Sequence, residues 1–328
     1  MRYRTFGRTD LEVSEIAVGC WAMGGVREKD GKPVGWGPVD DEESIRAIRR
    51  ALDLGVNFFD TAEGYGLGHS EEVVGRALEG RRGTVIISSK LGRSFYDESP
   101  RSYARFSRAH HREMIEGTLK RLRTDYLDIY LWHEPVPDEI LAEAAAAMEE
   151  LKKDGKILCY GASAYGGDDI RKYLAGGASV GAVEPNYNLI DRSEEKGTLA
   201  VANEKSIGVI ARGVLRMGAL TGKFTSDSKF PESDIRSRNK KFQGPNFPKV
   251  LEVVEKMKAF VKPKRSLAQL AIQWVLGHPA VHTVIVGAKT AKQIEENAAT
   301  MQAPPLTADE RAAIEKISID AFGPGGPA

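Results

Sequence analysis

The 328-residue chain has little cysteine, little histidine and almost no net charge, and each scarcity excludes something. Its two cysteines, Cys20 and Cys159, stand far apart, so no disulfide framework is available. One bridge is possible on arithmetic alone, but both residues sit in strand-like apolar runs, which predicts reduced thiols in the core or near a site. The six histidines show no metal-ligand spacing. His110 and His111 are adjacent, which points their rings apart on a helix, and both are expected to be solvated. Lys plus Arg number 47 and Asp plus Glu 46, a formal net charge of +1, so no surface is devoted to nucleic acid or anionic lipid. No apolar run has the length of a bilayer, and Met1-Arg-Tyr-Arg-Thr-Phe-Gly lacks the apolar core of a secretory signal. The expectation is a cytoplasmic protein with neither membrane nor nucleic acid as partner. Oligomeric state leaves no signature.

What is present is a repeat. Hydrophobic residues make up 41% of the chain, enough for a large core. Apolar runs at 16–20, 58–60, 84–90, 126–133, 157–163, 180–184, 208–212 and 281–286 are each followed by an amphipathic helical stretch. Eight such units predict parallel strands covered on both faces and closed into one α/β domain over 1–328, a (β/α)8 TIM barrel. Helix starts carry chemical marks: Asp40 with Glu43 and Thr290 with Gln293 have capping-box spacing. The helix after Pro137 ends at Asp154-Gly155. Two segments fall outside the repeat. Residues before position 16 predict a hairpin capping the barrel's bottom, and 221–248, after the seventh run, is a long polar loop rich in Lys, Arg and Pro. The tail, about 321–328, has the turn-prone composition of a mobile end.

Barrels of this kind place their chemistry at the C-terminal ends of the strands. Asp60, Lys90 and His133 close the second, third and fourth runs, and Tyr65 lies just beyond Asp60. Singly each has a bland reading: Asp60 a helix cap, Tyr65 turn packing, Lys90 a solvated cation. Four such groups on one mouth make a site the stronger reading.

The segments around them resemble a known family. Gly55-Val-Asn-Phe-Phe-Asp60-Thr-Ala-Glu-Gly-Tyr65-Gly, followed by Ser70-Glu-Glu-Val-Val-Gly75, closely resembles the aldo-keto reductase signature. Ile86-Ile-Ser-Ser-Lys90 resembles its lysine strand and Leu127-Asp-Ile-Tyr-Leu-Trp-His133 its histidine strand. Later matches at Gly161-Ala-Ser163, Tyr187-Asn188-Leu189, Leu220-Thr-Gly-Lys223 and Val286-Gly-Ala-Lys289 carry the resemblance across nearly the whole chain. It implies an oxidoreductase that moves a hydride between a nicotinamide and a carbonyl or alcohol, with an aldehyde, ketone or sugar as substrate. Tyr65 would be the general acid, Lys90 the charge that makes a phenol of pKa near ~10 acidic enough, Asp60 the group holding Lys90, and His133 the group orienting the substrate oxygen.

No G-x-G-x-x-G run follows a strand, so a Rossmann site is not indicated. By the resemblance, NADP(H) lies across the barrel mouth instead. Gly19, Cys20, Trp21, Asp60, Ser163, Glu184, Asn188, Arg212, Gly213 and Leu215 would surround the nicotinamide half. Lys223 and Arg236 would reach the phosphates, and Gly287, Lys289, Gln293 and Asn297 the adenosine end. Gln293 reads equally as the capping partner of Thr290. Lys289, after the eighth run and before a helix, implies a preference for NADPH, with NAD still possible. Ala164, Glu184 and Arg212 depart from the family's usual Asn, Gln and aromatic residue, which puts the nicotinamide geometry in doubt. Trp21, Trp36, Phe95, Tyr96 and Trp132 are candidate walls for substrate, and each reads equally as packing. Arg93, Arg101, Arg105 and Arg108 form a basic lip or a solvated loop. Two other function classes remain on the table: a nucleotide-binding regulatory subunit resembling channel β-subunits, disfavoured by the intact tetrad, and a metal-dependent hydrolase, for which ligand spacing is lacking.

Overall fold

The computed structural model describes residues 1–29, 32–92, 106–163 and 166–327, with backbone alone at 27–29 and 32–34. Arg93, Phe95, Tyr96, Arg101, Arg105 and Ala164 lie outside the described residues. β1 (Tyr3–Thr5) and β2 (Glu12–Ser14) form an antiparallel hairpin. β3 (Ile16–Gly19) opens the barrel, and β4 (Val26–Lys29) with β5 (Lys32–Gly35) makes a second antiparallel hairpin. The barrel continues through β6 (Phe58–Asp60), β7 (Ile86–Leu91), β8 (Leu127–Trp132), β9 (Ile157–Ala162), β10 (Ala182–Val183), β11 (Gly208–Ala211) and β12 (Thr283–Gly287). All eight pair in parallel, and β12 pairs back onto β3, Val284 opposite Ile16 and Gly287 opposite Gly19. The eight-run reading is therefore the observed barrel.

Helices α1 (Asp41–Asp53), α2 (His69–Ala77), α3 (Arg108–Leu122), α4 (Leu141–Lys153), α5 (Gly167–Ala175) and α6 (Thr198–Lys205) return the chain between successive strands. α7 (Asn246–Met257) is an addition before α8 (Leu267–Leu276), and α10 (Ala308–Phe322) follows α9 (Ala291–Ala298). The backbone N–H of Arg192 donates to Gly325 O at 3.0 Å, which lays the tail against the segment after β10.

Because strand side chains alternate, one set fills the barrel and the other meets the helices. Ala17, Phe58, Ile86, Ile129, Leu131, Cys159, Ala182 and Ile210 fill it, together with Phe6 and Val13 of the first hairpin. Phe6 seals the bottom: its ring meets Phe58 edge-on at 6.5 Å, and a Cβ at Gly208 would lie 2.2 Å from it, so only glycine fits there. The expected bottom cap is thus present.

The opposite row corrects two expectations. Trp132 is fully buried on the helix side of β8, edge-on to Tyr160 and Tyr173, and does not line the mouth. Its Nε1–H donates at 3.1 Å to Nε2 of His111, which is itself fully buried rather than solvated. Burial pushes the His111 imidazole down to about 4, which keeps it neutral and able to accept that bond.

The helix caps differ in detail from the sequence pattern. Asp40 accepts from the N–H groups of Glu42 and Glu43, at 2.9 and 3.2 Å. Glu43 does not return to Asp40; it binds Arg46 and accepts from Ala291 N at the start of α9, where an anion suits the helix dipole. Gln293 accepts from Lys289 N, one residue before Thr290, whose hydroxyl accepts from Gln293 N. The long loop holds an aromatic cluster that its polar composition concealed. Phe224, Phe230 and Phe242 meet edge-on at 5.1–5.8 Å, and Arg236 lies over Phe230 and over Trp36.

Candidate active site

At the C-terminal rim the inward-facing rows turn from apolar to polar. Asp60, Lys90, His133, Ser163, Glu184 and Arg212 each stand two positions beyond a residue of the barrel interior, Phe58, Ser88, Leu131, Gly161, Ala182 and Ile210. Period two thus gathers on one mouth what the sequence scatters over about 150 residues. Lys90 is fully buried, and its ammonium donates to both Asp60 oxygens at 2.6 Å and to Thr61 O at 3.0 Å. Its distance to the Tyr65 hydroxyl is 3.3 Å. Asp60 also accepts from Ser88 Oγ at 2.6 Å.

Tyr65 arrives from the β6–α2 loop. That loop packs on the turn at Trp21–Gly24 through glycines: Gly66 has φ +66°, and a Cβ on it would lie 2.1 Å from Gly24 O. The approach stacks the Tyr65 ring on Trp21 at 5.9 Å, while His133 meets it edge-on at 5.8 Å. Trp36 in turn sits edge-on to Trp21 at 5.4 Å, so Trp21 borders the tyrosine and Trp36 stands behind it. Cys20, buried beside them, donates its N–H to Asp60 O.

Charge is concentrated here. Burial alone would lower the Lys90 ammonium, but Asp60 and then Glu184 hold it well above the ordinary lysine value. Burial pushes the Tyr65 phenol up; Lys90 pulls it down, and Asp60 and Glu184 oppose that pull. Tyr65 is therefore a protonated donor at neutral pH. Glu184 is almost wholly buried, with Oε2 at 3.2 Å from Lys90 Nζ and Oε1 at 3.7 Å from Arg212 Nε. Burial raises its carboxyl to about 7 against the attraction of Lys90.

Asn188 is buried and committed to the protein, donating to Asp191 and to Gly213 O while accepting from the N–H groups of Ile190 and Asp191. It shapes the turn that presents Gly213 (φ +68°) and half-buried Leu215. Ser163 is buried at the rim, its N–H on Trp132 O.

A second cluster lies at the other side of the mouth. Lys223, Arg236 and Lys289 surround one carboxylate, Asp234, which binds Arg236 at 2.5 and 2.9 Å. Burial and the neighbouring Arg236 lower both lysines, and Asp234 offsets part of this. The Lys289 ammonium donates to Trp36 O and, at 3.3 Å, to Pro38 O. Gly287 is exposed, with open space where a Cβ would point; Gln293 is exposed and Asn297 half-buried on α9. Three cations about one carboxylate suit a polyphosphate. Arg212 Nε is buried with no hydrogen-bond partner among the described residues, and Glu184 Oε2 has only the contact with Lys90, so both retain capacity for a polar ring substituent. The residues present therefore fit a nicotinamide dinucleotide. Ser88 and Asp234 were missed in the sequence. Ser88 had a signal, since it shares the inward row with Lys90; Asp234 had none, being one acid in a mixed loop.

A profile of the aldo/keto reductase family matches residues 15–319. The aldo-keto reductase YhdN of Bacillus subtilis is 36% identical over 90% of this chain and 87% of its own. The NADH-specific methylglyoxal reductase of Escherichia coli is 31% identical over 92% and 94%. Among solved structures, the glycerol dehydrogenase AKR11B4 from Gluconobacter oxydans superposes with a TM-score of 0.83 at 32% identity, covering 99% and 98% of the two chains. An aldo/keto reductase from Klebsiella pneumoniae in complex with NADP and acetate gives 0.72 at 26%, covering 100% and 97%. The chain belongs to the aldo/keto reductase family and is an NAD(P)H-dependent oxidoreductase.

Proposed function

We propose that the protein interconverts small aldehydes, ketones or sugars and their alcohols, with Tyr65 giving the proton to the carbonyl oxygen. The observation that carries this is the Lys90 ammonium, fixed on Asp60 and standing 3.3 Å from the Tyr65 hydroxyl. A nicotinamide dinucleotide, when bound, supplies the hydride. In reduction the Tyr65 O–H bond breaks and its proton passes to the substrate oxygen. The phenolate left behind is stabilised by Lys90, and solvent returns the proton. His133, edge-on to Tyr65, orients the same oxygen, and Trp21 and Trp36 wall the mouth. The nicotinamide half would be held by Gly19, Cys20, Trp21, Ser163, Glu184, Arg212, Gly213 and Leu215, on the turn that Asn188 shapes. Lys223 and Arg236 would take the phosphates, and Gly287, Lys289, Gln293 and Asn297 the adenosine.

NADPH is the preferred form in this reading, because the cation cluster exceeds what its one carboxylate neutralises. The relatives' names point both ways, one NADH-specific and one structure with NADP bound. Tyr65→Phe tests the mechanism. Turnover of an aldehyde panel should fall by ~10²–10⁴, the usual worth of a general acid, with dinucleotide affinity by calorimetry nearly unchanged. Wild-type turnover in that variant would reject the assignment.

A further inference from the structure

Lys90 has more acceptors around it than protons to give. An ammonium carries three N–H groups. Within reach are both Asp60 oxygens at 2.6 Å, Thr61 O at 3.0 Å, Glu184 Oε2 at 3.2 Å and the Tyr65 hydroxyl at 3.3 Å. Asp60 and Thr61 take the three short contacts, so Glu184 and Tyr65 share the field of the ammonium rather than a hydrogen of their own. Resting on the reading of Tyr65 as proton donor, we propose that Glu184 is a positioning residue: its own charge decides how much of the Lys90 ammonium is left for the Tyr65 hydroxyl.

The groups facing Glu184 come from several elements. Lys90 lies on β7, Asp60 on β6, Tyr65 on the loop after β6 and Arg212 just after β11; Cys20 and His133 border the same charges. Arg212 is a loose counter-ion, 3.7 Å away and with a third of its side chain exposed, so Lys90 is the partner that counts. Ionised, Glu184 adds a second negative charge against the ammonium and makes Tyr65 a weaker acid. Neutral, it leaves the ammonium opposed by Asp60 alone, and the phenol feels more of the positive charge. Its carboxyl titrates at about 7, so the change of state falls at neutral pH. The amide that the family usually carries here has no charge and cannot act in this way.

The size of the effect follows from distance. Glu184 Oε2 and the Tyr65 oxygen both lie within 3.3 Å of one nitrogen, which puts them less than about 6.5 Å apart. At an effective dielectric of ~20, unit charges so placed shift one another's titration by about two pH units. The experiment compares the full-length wild type with Glu184→Gln and Glu184→Asp. It measures kcat/KM for carbonyl reduction and for alcohol oxidation across pH, with dinucleotide Kd by calorimetry.

In Glu184→Gln the alkaline limb of reduction, where Tyr65 must be protonated, should move down by about two pH units. The rising limb of oxidation, where Tyr65 must be ionised, should move down equally. Glu184→Asp should restore the wild-type limbs, and Kd should stay within about threefold, since the effect runs through Lys90. Unmoved limbs in the Gln variant, or limbs displaced equally in the Asp variant, overturn the proposal. Loss of dinucleotide affinity with unmoved limbs overturns it and leaves Glu184 with the nicotinamide contact alone. If instead the Tyr65 reading fails, Tyr65→Phe keeps both its turnover and its limbs, an outcome distinct from all of these.

Discussion

Lys90 carries its charge fully buried, and the neighbours that make this tolerable are the ones that give it a function. Replacing it with methionine leaves Asp60 buried without its cation and Glu184 with only the loose Arg212, and breaking a buried pair in this way costs about 3–5 kcal/mol. Lys90→Met should therefore lower the urea midpoint as well as kcat/KM, the latter by ~10²–10⁴ with the Tyr65 charge support gone. Full activity at neutral pH, measured on folded protein, would remove Lys90 from the mechanism. Residues such as Lys90 were legible in the sequence because a buried strand that ends on a charge is conspicuous. Trp132 shows where that reading stopped. It is one position out of phase with Leu131 and His133, so period two sends it to the helices, where His111 accepts its N–H. Counting parity along 127–133 would have separated wall from packing. His111 was misread for the complementary reason: two adjacent rings on a helix do diverge, and one of them diverged into the core.

Among the elements, strands and barrel helices followed from apolar spacing and caps, whereas β4, β5 and the folded loop did not. The second hairpin lies in a polar run, Arg27-Glu-Lys-Asp-Gly-Lys-Pro-Val34, with no alternation to read. The four phenylalanines that fold the loop, Phe224, Phe230, Phe242 and Phe247, have no helical or strand period; only three-dimensional closure brings them together. These two unread elements meet: Trp36 bridges to Asp234, and Lys289, ahead of α9, ties onto the carbonyls of Trp36 and Pro38. Lys289→Ala loosens that junction for either dinucleotide, so the ratio of affinities isolates the phosphate contribution. A hydrogen bond to a charged group is worth ~1.5–3 kcal/mol. The ratio of NADPH to NADH affinity should fall by about one to two decades, read by calorimetry with both cofactors. An unchanged ratio would detach Lys289 from the 2′-phosphate.

For the molecule as a whole, one buried carboxyl links folding to pH. Glu184 titrates at about 7 in the fold against an ordinary 4.5, so the native state holds its proton more tightly than the unfolded chain does. Its contribution is unpenalised below pH 4.5, is lost progressively as pH rises to about 7, and is level above. The Tm of Glu184→Gln minus that of wild type should therefore climb between those two values and then flatten; a flat difference throughout would show that Glu184 is ionised in the fold across the range. Four tryptophans serve the whole barrel. Trp132 and Trp274 are fully buried away from the mouth, while Trp21 and Trp36 form a line from the Tyr65 ring to the Lys289 ammonium. The molecule thus carries an intrinsic optical gauge of its own mouth: two of its four indoles stand at the reaction cleft, and the other two are buried away from it.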